Sequence, residues 1–267
     1  MHPNWLGVLS AILTLVAFFL TYRAAIKRSP KSRCLFLIPA LLLAIPGSSF
    51  AVHYAHVLPE AAWYYQFRSL PGTELLLLPL GIAGGLVASL LPRILLILPL
   101  LGVAAFSLVP HIKPFIGPIS VDTWEDRWDG DICLQSTPST CGAASTATIL
   151  NYLGQRVKES DLAAEAHSYS GGTEAWYLAR AVRSRGLQVE FDLDAGFTPE
   201  YGLPAVVGVR LGSVGHFIPI LAQEGDNFLV GDPLRGSELL PIEELERRYQ
   251  FTGFHMRISE HQESPAS

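Results

Sequence analysis

Apolar residues run without a charge from Trp5 to Tyr22, and at 1.5 Å per residue that stretch spans about 27 Å, close to a bilayer core. A second apolar run goes from Cys34 to about Val52. It contains Pro39, Pro46 and Gly47, which transmembrane helices tolerate better than soluble ones. A third goes from Thr73 to Pro110, which as one helix would reach roughly 57 Å, too long for one crossing. Leu91-Pro92-Arg93 interrupts it, so it reads as two helices, about 73–91 and 94–110. Residues 1–110 are thus predicted to form four transmembrane helices.

After Pro110 the pattern changes. Residues 111–130, with Pro114, Pro118, Trp124 and Trp128, read as a juxtamembrane linker lying along the headgroups. Residues 131–259 read as one globular domain, and 260–267 as a flexible tail. Three helices are predicted first. The first covers Cys141 to Leu153 and ends at Gly154. The second covers Lys158 to His167. The third covers Thr173 to Arg185, capped by the Thr173 hydroxyl and stopped by Gly186. Short strand-like runs follow at Gln188–Leu193, Ala205–Leu211, His216–Ala222, Asn227–Val230 and Phe254–Ile258. Helices first and closely spaced strands later give an α+β class with antiparallel pairing.

Charge sharpens the division. The chain has 267 residues, 19 basic and 24 acidic, for a net charge of -5, and only 16% are charged. Residues 1–110 hold seven basic residues and two acidic ones, Glu60 and Glu74. The rest is strongly acidic, which argues against a nucleic-acid module. Arg23, Lys27, Arg28, Lys31 and Arg33 follow the first span rather than precede it, unlike a cleaved signal peptide. Under the positive-inside rule they face the cytoplasm. The chain is then expected to be a multi-pass protein of the plasma (inner) membrane, with its C-terminal domain outside the cytoplasm. Trp63, Tyr64, Tyr65 and Phe67 suit the outer interface. His53, His56 and Glu60, near the second span's outer end, read as solvated loop groups rather than ligands.

The chemistry concentrates in Gln135-Ser136-Thr137-Pro138-Ser139-Thr140-Cys141-Gly142. A cysteine at a helix start sits among unpaired N–H groups at the positive end of the dipole, and both favour a thiolate nucleophile. Gly142 and Ala143 are expected to leave space around the sulfur. The Gln135 amide and the Cys141 backbone N–H can together hold an oxyanion. His216, after Gly215 and opening the strand FIPIL, fits the base. Asp232, in Gly231-Asp232-Pro233, can be brought beside it by a hairpin and orient the ring. His167 is a rival base, read as a helix C-terminal cap. Cys133 is read as a packed strand residue. Two further readings are that it pairs with Cys141 or shares a zinc site with Cys141 and His216.

These residues in this order resemble the papain-like cysteine peptidases, and among them the bacteriocin-leader (double-glycine) peptidases. The resemblance covers about residues 131–258. It implies a two-lobed α+β fold and cleavage of a peptide or protein after small residues such as Gly-Gly, with no cofactor. By the match, Cys141 is the nucleophile, His216 the base, Asp232 the orienting residue and Gln135 the oxyanion donor. The family often carries proline soon after the Cys-Gly pair, where this chain has Ala143. Its members are often fused to a transporter with a nucleotide-binding domain. No G-x-x-x-x-G-K-[ST] loop occurs here, so a membrane transporter would be a partner rather than part of this chain. Two other readings of the domain are a non-catalytic peptide-binding module serving a membrane partner and another thiol-dependent acyl-transfer enzyme.

Overall fold

The computed structural model describes residues 2–55, 57–194 and 196–260. His56 and all but the first residue of the expected tail lie outside the described residues. The chain opens with α1 (Trp5–Ala25), α2 (Pro30–Tyr54) and the short α3 (Ala62–Arg68), followed by α4 (Leu78–Leu90) and α5 (Ile97–Ile116). Among the described residues, four helical stretches are long and apolar enough to cross a membrane: Trp5–Ala25, Pro30–Tyr54, Thr73–Leu90 and Arg93–Ile116. The last does not stop at Pro110. Pro110 and Pro114 both lie inside α5, which takes in the start of the expected linker. A proline's φ suits a helix and removes one hydrogen bond, a cost an apolar helix can absorb.

The chain divides into two compact units. One holds residues 3–60 and 72–116, including the four long helices. Its tightest approach is between α1 and α4: a Cβ on Gly81 would run into the carbonyl of Thr14, and one on Gly85 into that of Phe18. This is the small-x-x-x-small packing by which helices associate in lipid.

The other unit gathers residues 1–2, 61–71 and everything from Gly117 onward. Its elements run β1 (Trp128–Asp129), β2 (Ile132–Cys133), α6 (Cys141–Tyr152), α7 (Glu159–Glu165), α8 (Ala175–Arg183), β3 (Gln188–Leu193), β4 (Ala205–Leu211), β5 (Val214–Glu224), β6 (Asn227–Asp232), β7 (Gly236–Pro241), α9 (Ile242–Arg248) and β8 (Gln250–Ser259). The class is α+β. A two-stranded ribbon joins β1 and β2, and a six-stranded antiparallel sheet runs β3-β8-β4-β5-β6-β7. Both sheet faces are apolar. Val189, Val206, Phe254, Met256 and Ile258 share one core with Ala144, Ala147, Leu150, Leu178 and Val182 from the helices. Val207, Val209, Ile218, Ile220 and Val230 form another with Leu245 and Tyr249.

Several local expectations change. The third helix of the domain begins after Glu174, and the Thr173 hydroxyl bonds Ser168 Oγ at 2.6 Å instead of capping. Trp124 and Trp128 pack against the first core, and Arg156 stacks on Trp128, so neither tryptophan is simply a headgroup ring. In α3, Tyr64 and Arg68 are buried, and Tyr65 stacks on Phe191 at 5.4 Å. A pocket of rings on Trp176, Phe191 and Phe254 competes successfully for aromatics that composition alone assigns to the interface. Trp63 stays exposed.

Candidate active site

The segment from Ile132 to Cys141 is fixed by its backbone. The Cys133 N–H donates to Thr148 Oγ1 at 2.9 Å, and the Leu134 N–H to the Arg127 carbonyl at 2.9 Å. The Gln135 N–H donates to the Pro233 carbonyl at 3.0 Å, which ties it to the residue following Asp232. A turn then closes from Thr137 to Thr140. The Thr140 hydroxyl accepts the Thr137 N–H at 3.1 Å and donates to the Thr137 carbonyl at 3.0 Å. Thr140 is the N-cap of α6, yet its side chain takes none of the helix N–H groups.

Cys141 is the first residue of α6 and 8% exposed. The helix is locked to the sheet one turn later, where Ser145 Oγ donates to the Phe217 carbonyl at 2.9 Å. Phe217 follows His216, so this bond sets the thiol opposite the imidazole. Gly142 does not open space around the sulfur, contrary to expectation. A Cβ there would stand 3.0 Å from Leu178 and 3.2 Å from Phe217, so the glycine allows α6 to approach those side chains. Ala143 is fully buried.

His216 lies on β5, paired with Val209 of β4, and Asp232 ends β6. The hairpin joining them brings His216 Nε2 to 3.1 Å from Asp232 Oδ1. Cys141 lies close enough to act on the same ring, whose Nδ1 is not taken by Asp232. Burial alone would pull the His216 pKa down. Hydrogen bonds to Asp232 and Cys141, and their charge, outweigh it and raise the value to about 9. The arrangement therefore favours a protonated ring beside the Asp232 carboxylate.

Asp232 is 1% exposed. Burial would raise its pKa, but donors from His216, the Leu234 N–H at 2.9 Å and the Tyr249 hydroxyl at 2.9 Å hold it below the usual range. Arg235 stands 3.8 Å from its Oδ2. Tyr249 is a residue that sequence reasoning missed. It is 1% exposed, directly after α9, and burial beside Asp232 pushes its hydroxyl pKa up, keeping it a donor. Replacing Tyr249 with Phe removes a hydrogen bond to a charged group, which should cost about 1.5–3 kcal/mol of stability. Denaturant titration of the two proteins checks this; an unchanged midpoint would deny Tyr249 that role.

Cys141, His216 and Asp232 thus come together. Gln135 joins them through its backbone and is buried, with its Nε2 donating to the Thr137 carbonyl at 2.7 Å. Cys133 and Cys141 are free thiols. Cys133 is a packed strand residue whose burial pushes its thiol pKa up. His167 lies elsewhere, at the end of α7, with φ 54° and its ring 4.9 Å from that of Tyr177. The Ser168 N–H bonds the Ala163 carbonyl and the His167 N–H that of Ala164, a Schellman ending with histidine in the usual glycine position.

Residues 130–262 match the model of the Peptidase C39 family. An uncharacterized protein of Methanothermobacter thermautotrophicus is 31% identical over 111 residues, covering 40% of this chain and 75% of the relative. A probable functional amyloid protease, FapD, of Pseudomonas aeruginosa is 26% identical over 143 residues, covering 50% and 59%. Among solved structures, the double-glycine-motif protease of an AMS/PCAT transporter in complex with a leader peptide is 24% identical. It covers 49% of this chain and 91% of its own, with a TM-score of 0.41. The peptidase domain of Streptococcus ComA is 18% identical over 48% of this chain and 96% of its own, with a TM-score of 0.42. Through residues 130–262, the chain belongs to the Peptidase C39 family of cysteine peptidases.

Proposed function

We propose that this protein is a membrane-anchored cysteine peptidase in which Cys141 is the nucleophile, His216 the acid and base, Asp232 the orienting group and Gln135 an oxyanion donor. The observation that carries the reading is the chain of contacts from a helix-start thiol through His216 to an enclosed Asp232. In this mechanism the Cys141 sulfur adds to the scissile carbonyl carbon. The resulting oxyanion takes donors from the Cys141 N–H and from the Gln135 amide N–H not bound to Thr137. The C–N bond breaks as protonated His216 gives its proton to the leaving amine. Neutral His216 then takes a proton from water, the hydroxide attacks the thioester, and the carboxylate product leaves with the thiolate restored.

The substrate is a peptide or protein, cut after small residues such as Gly-Gly. The domain stands on the extracytoplasmic face of the plasma (inner) membrane. Support for this sidedness comes from parity. Residues 1–2, 61–71 and 117 onward belong to one compact unit, and two long helices separate each of these segments from the next. An even number of crossings keeps all three on one face. Arg23, Lys27, Arg28, Lys31, Arg33 and Arg93 then fall near the turns on the opposite face, where positive residues mark the cytoplasm. A peptidase fixed there meets chains as they emerge, which makes a membrane transporter its natural partner class.

Protease accessibility of the domain in intact cells tests the sidedness: digestion from outside is expected, and protection until lysis would reverse it. For the chemistry, Gln135→Ala should lower turnover of a peptidyl-Gly-Gly-aminocoumarin about 10²–10³-fold without abolishing it. Undiminished turnover would remove Gln135 from the mechanism.

A further inference from the structure

Glu159 opens α7, a position where a carboxylate ordinarily faces water and complements the helix N-terminus. Here it is fully enclosed. Its two oxygens accept the Ser136 N–H at 2.9 and 3.1 Å, and Oε2 also takes the Ser136 hydroxyl at 2.5 Å. The Thr140 side chain lies beside the same carboxylate and helps to offset its burial. Ser136 directly follows Gln135, and Thr140 directly precedes Cys141. One carboxylate therefore fastens the Gln135 end of the short segment separating the amide from the thiol and stands beside its Cys141 end.

We propose that Glu159 is a positioning residue that sets the placement of the Gln135 amide relative to the Cys141 sulfur, and so completes the oxyanion site. The inference rests on the peptidase reading above and deepens it. Its partners explain why the site keeps a carboxylate. The N–H and the hydroxyl of Ser136 converge on it, the N–H reaching both oxygens, a pattern that a two-oxygen acceptor suits. Among the described residues no cation pairs with Glu159, and burial raises its pKa, so enclosing the carboxylate is costly. The neighbouring acid Asp126 adds to that cost, and Glu159 in turn raises the pKa of the Cys133 thiol.

The test separates the oxyanion site from the thiol–imidazole pair. Alkylation of Cys141 by iodoacetamide needs a thiolate but forms no oxyanion; peptide hydrolysis needs both. In full-length protein in detergent, Glu159→Gln should lower kcat on a peptidyl-Gly-Gly-aminocoumarin by about 10- to 100-fold, the scale of a misplaced group. KM and the alkylation rate of Cys141 should stay within about twofold of wild type. The double variant Gln135→Ala, Glu159→Gln should be no slower than Gln135→Ala alone, since both act on one donor. Turnover equal to wild type, an equal fall in alkylation, or effects that multiply would each overturn the inference. If Glu159→Gln does not fold, Ser136→Ala, which keeps the Ser136 N–H contact, should show the same split at smaller size, and no split would overturn it. Absence of hydrolysis by the wild-type protein would overturn the peptidase reading and this role with it, whereas hydrolysis untouched by Glu159→Gln removes the role alone.

Discussion

Cys141→Ala is expected to abolish peptide hydrolysis while leaving the fold intact. In enzymes whose nucleophile and base act as a unit, removing either costs about 10⁶ in rate. The structural cost is small by comparison. The substitution deletes one sulfur at the first position of α6 and keeps the Cβ, in a helix start that already carries Ala143 and Ala144. Thermal midpoints of wild type and variant should therefore agree closely. Cys133→Ala is the matched control: a second thiol in the same domain, fully buried in β2, whose loss should leave turnover in place. The same pair separates an enzyme from a peptide-binding module. At pH near 6, iodoacetamide should label Cys141 ahead of Cys133 in the wild type, and His216→Ala should erase that preference. A binder without a nucleophile would show ordinary thiol labelling in both proteins. Hydrolysis by Cys141→Ala above about 10⁻³ of wild type would end the assignment, since it would fall far short of the roughly 10⁶ loss that removing an acting nucleophile brings.

What the sequence disclosed and what it hid divides by whether a single local motif, a helix start or a hairpin, makes the contact. The Gln135-to-Cys141 segment and the hairpin from His216 to Asp232 are local. A helix start and a turn at Gly225-Asp226 place their side chains with little help from the rest of the fold. Gly154 and Gly186 were legible for the same reason, each adopting a positive φ just past a helix end. The residues that brace the site were not legible. Tyr249 meets Asp232 across 17 positions, Glu159 meets Ser136 across 23, and Ser145 meets Phe217 across 72. Each is an unremarkable surface type in its own segment, and only packing turns it inward. The strand β7 and helix α9 were missed because they sit at the sheet edge. In β7 only Gly236 and Leu240 are buried, so the alternation that announces a strand is absent, and α9 is too short for helical periodicity to register. Assigning Tyr64 and Tyr65 to the lipid interface failed because amphipathic rings suit two environments, and the ring cluster around Trp176 and Phe191 that takes them lies far along the chain, beyond two long apolar helices.

Asp232→Ala should damage stability and rate together, and its pH signature identifies the cause. At 1% exposure the carboxylate satisfies His216 Nε2, the Leu234 N–H and the Tyr249 hydroxyl. Truncation strands three donors in a site with little access to water. Breaking a buried pair of this kind costs about 3–5 kcal/mol. A raised histidine pKa contributes stability that is complete below about pH 6.5 and fades as pH climbs through about 9. A lowered carboxyl pKa contributes stability present above the ordinary value and lost as acid protonates it. Wild type should therefore lose stability in alkali as His216 deprotonates and in acid as Asp232 protonates, and the variant should show a flatter curve at a lower level. Turnover should fall about 10³–10⁴-fold, the scale seen when a triad loses the group that orients its base. Asp232→Asn distinguishes orientation from charge. An amide oxygen still accepts from His216 Nε2, so turnover should fall less than in Asp232→Ala, while the alkaline limb of the rate profile moves below pH 9 as the ring loses its anionic neighbour. If Asp232→Asn left that limb in place, the carboxylate would not be what holds His216 protonated, and the contact with Cys141 would have to do so alone.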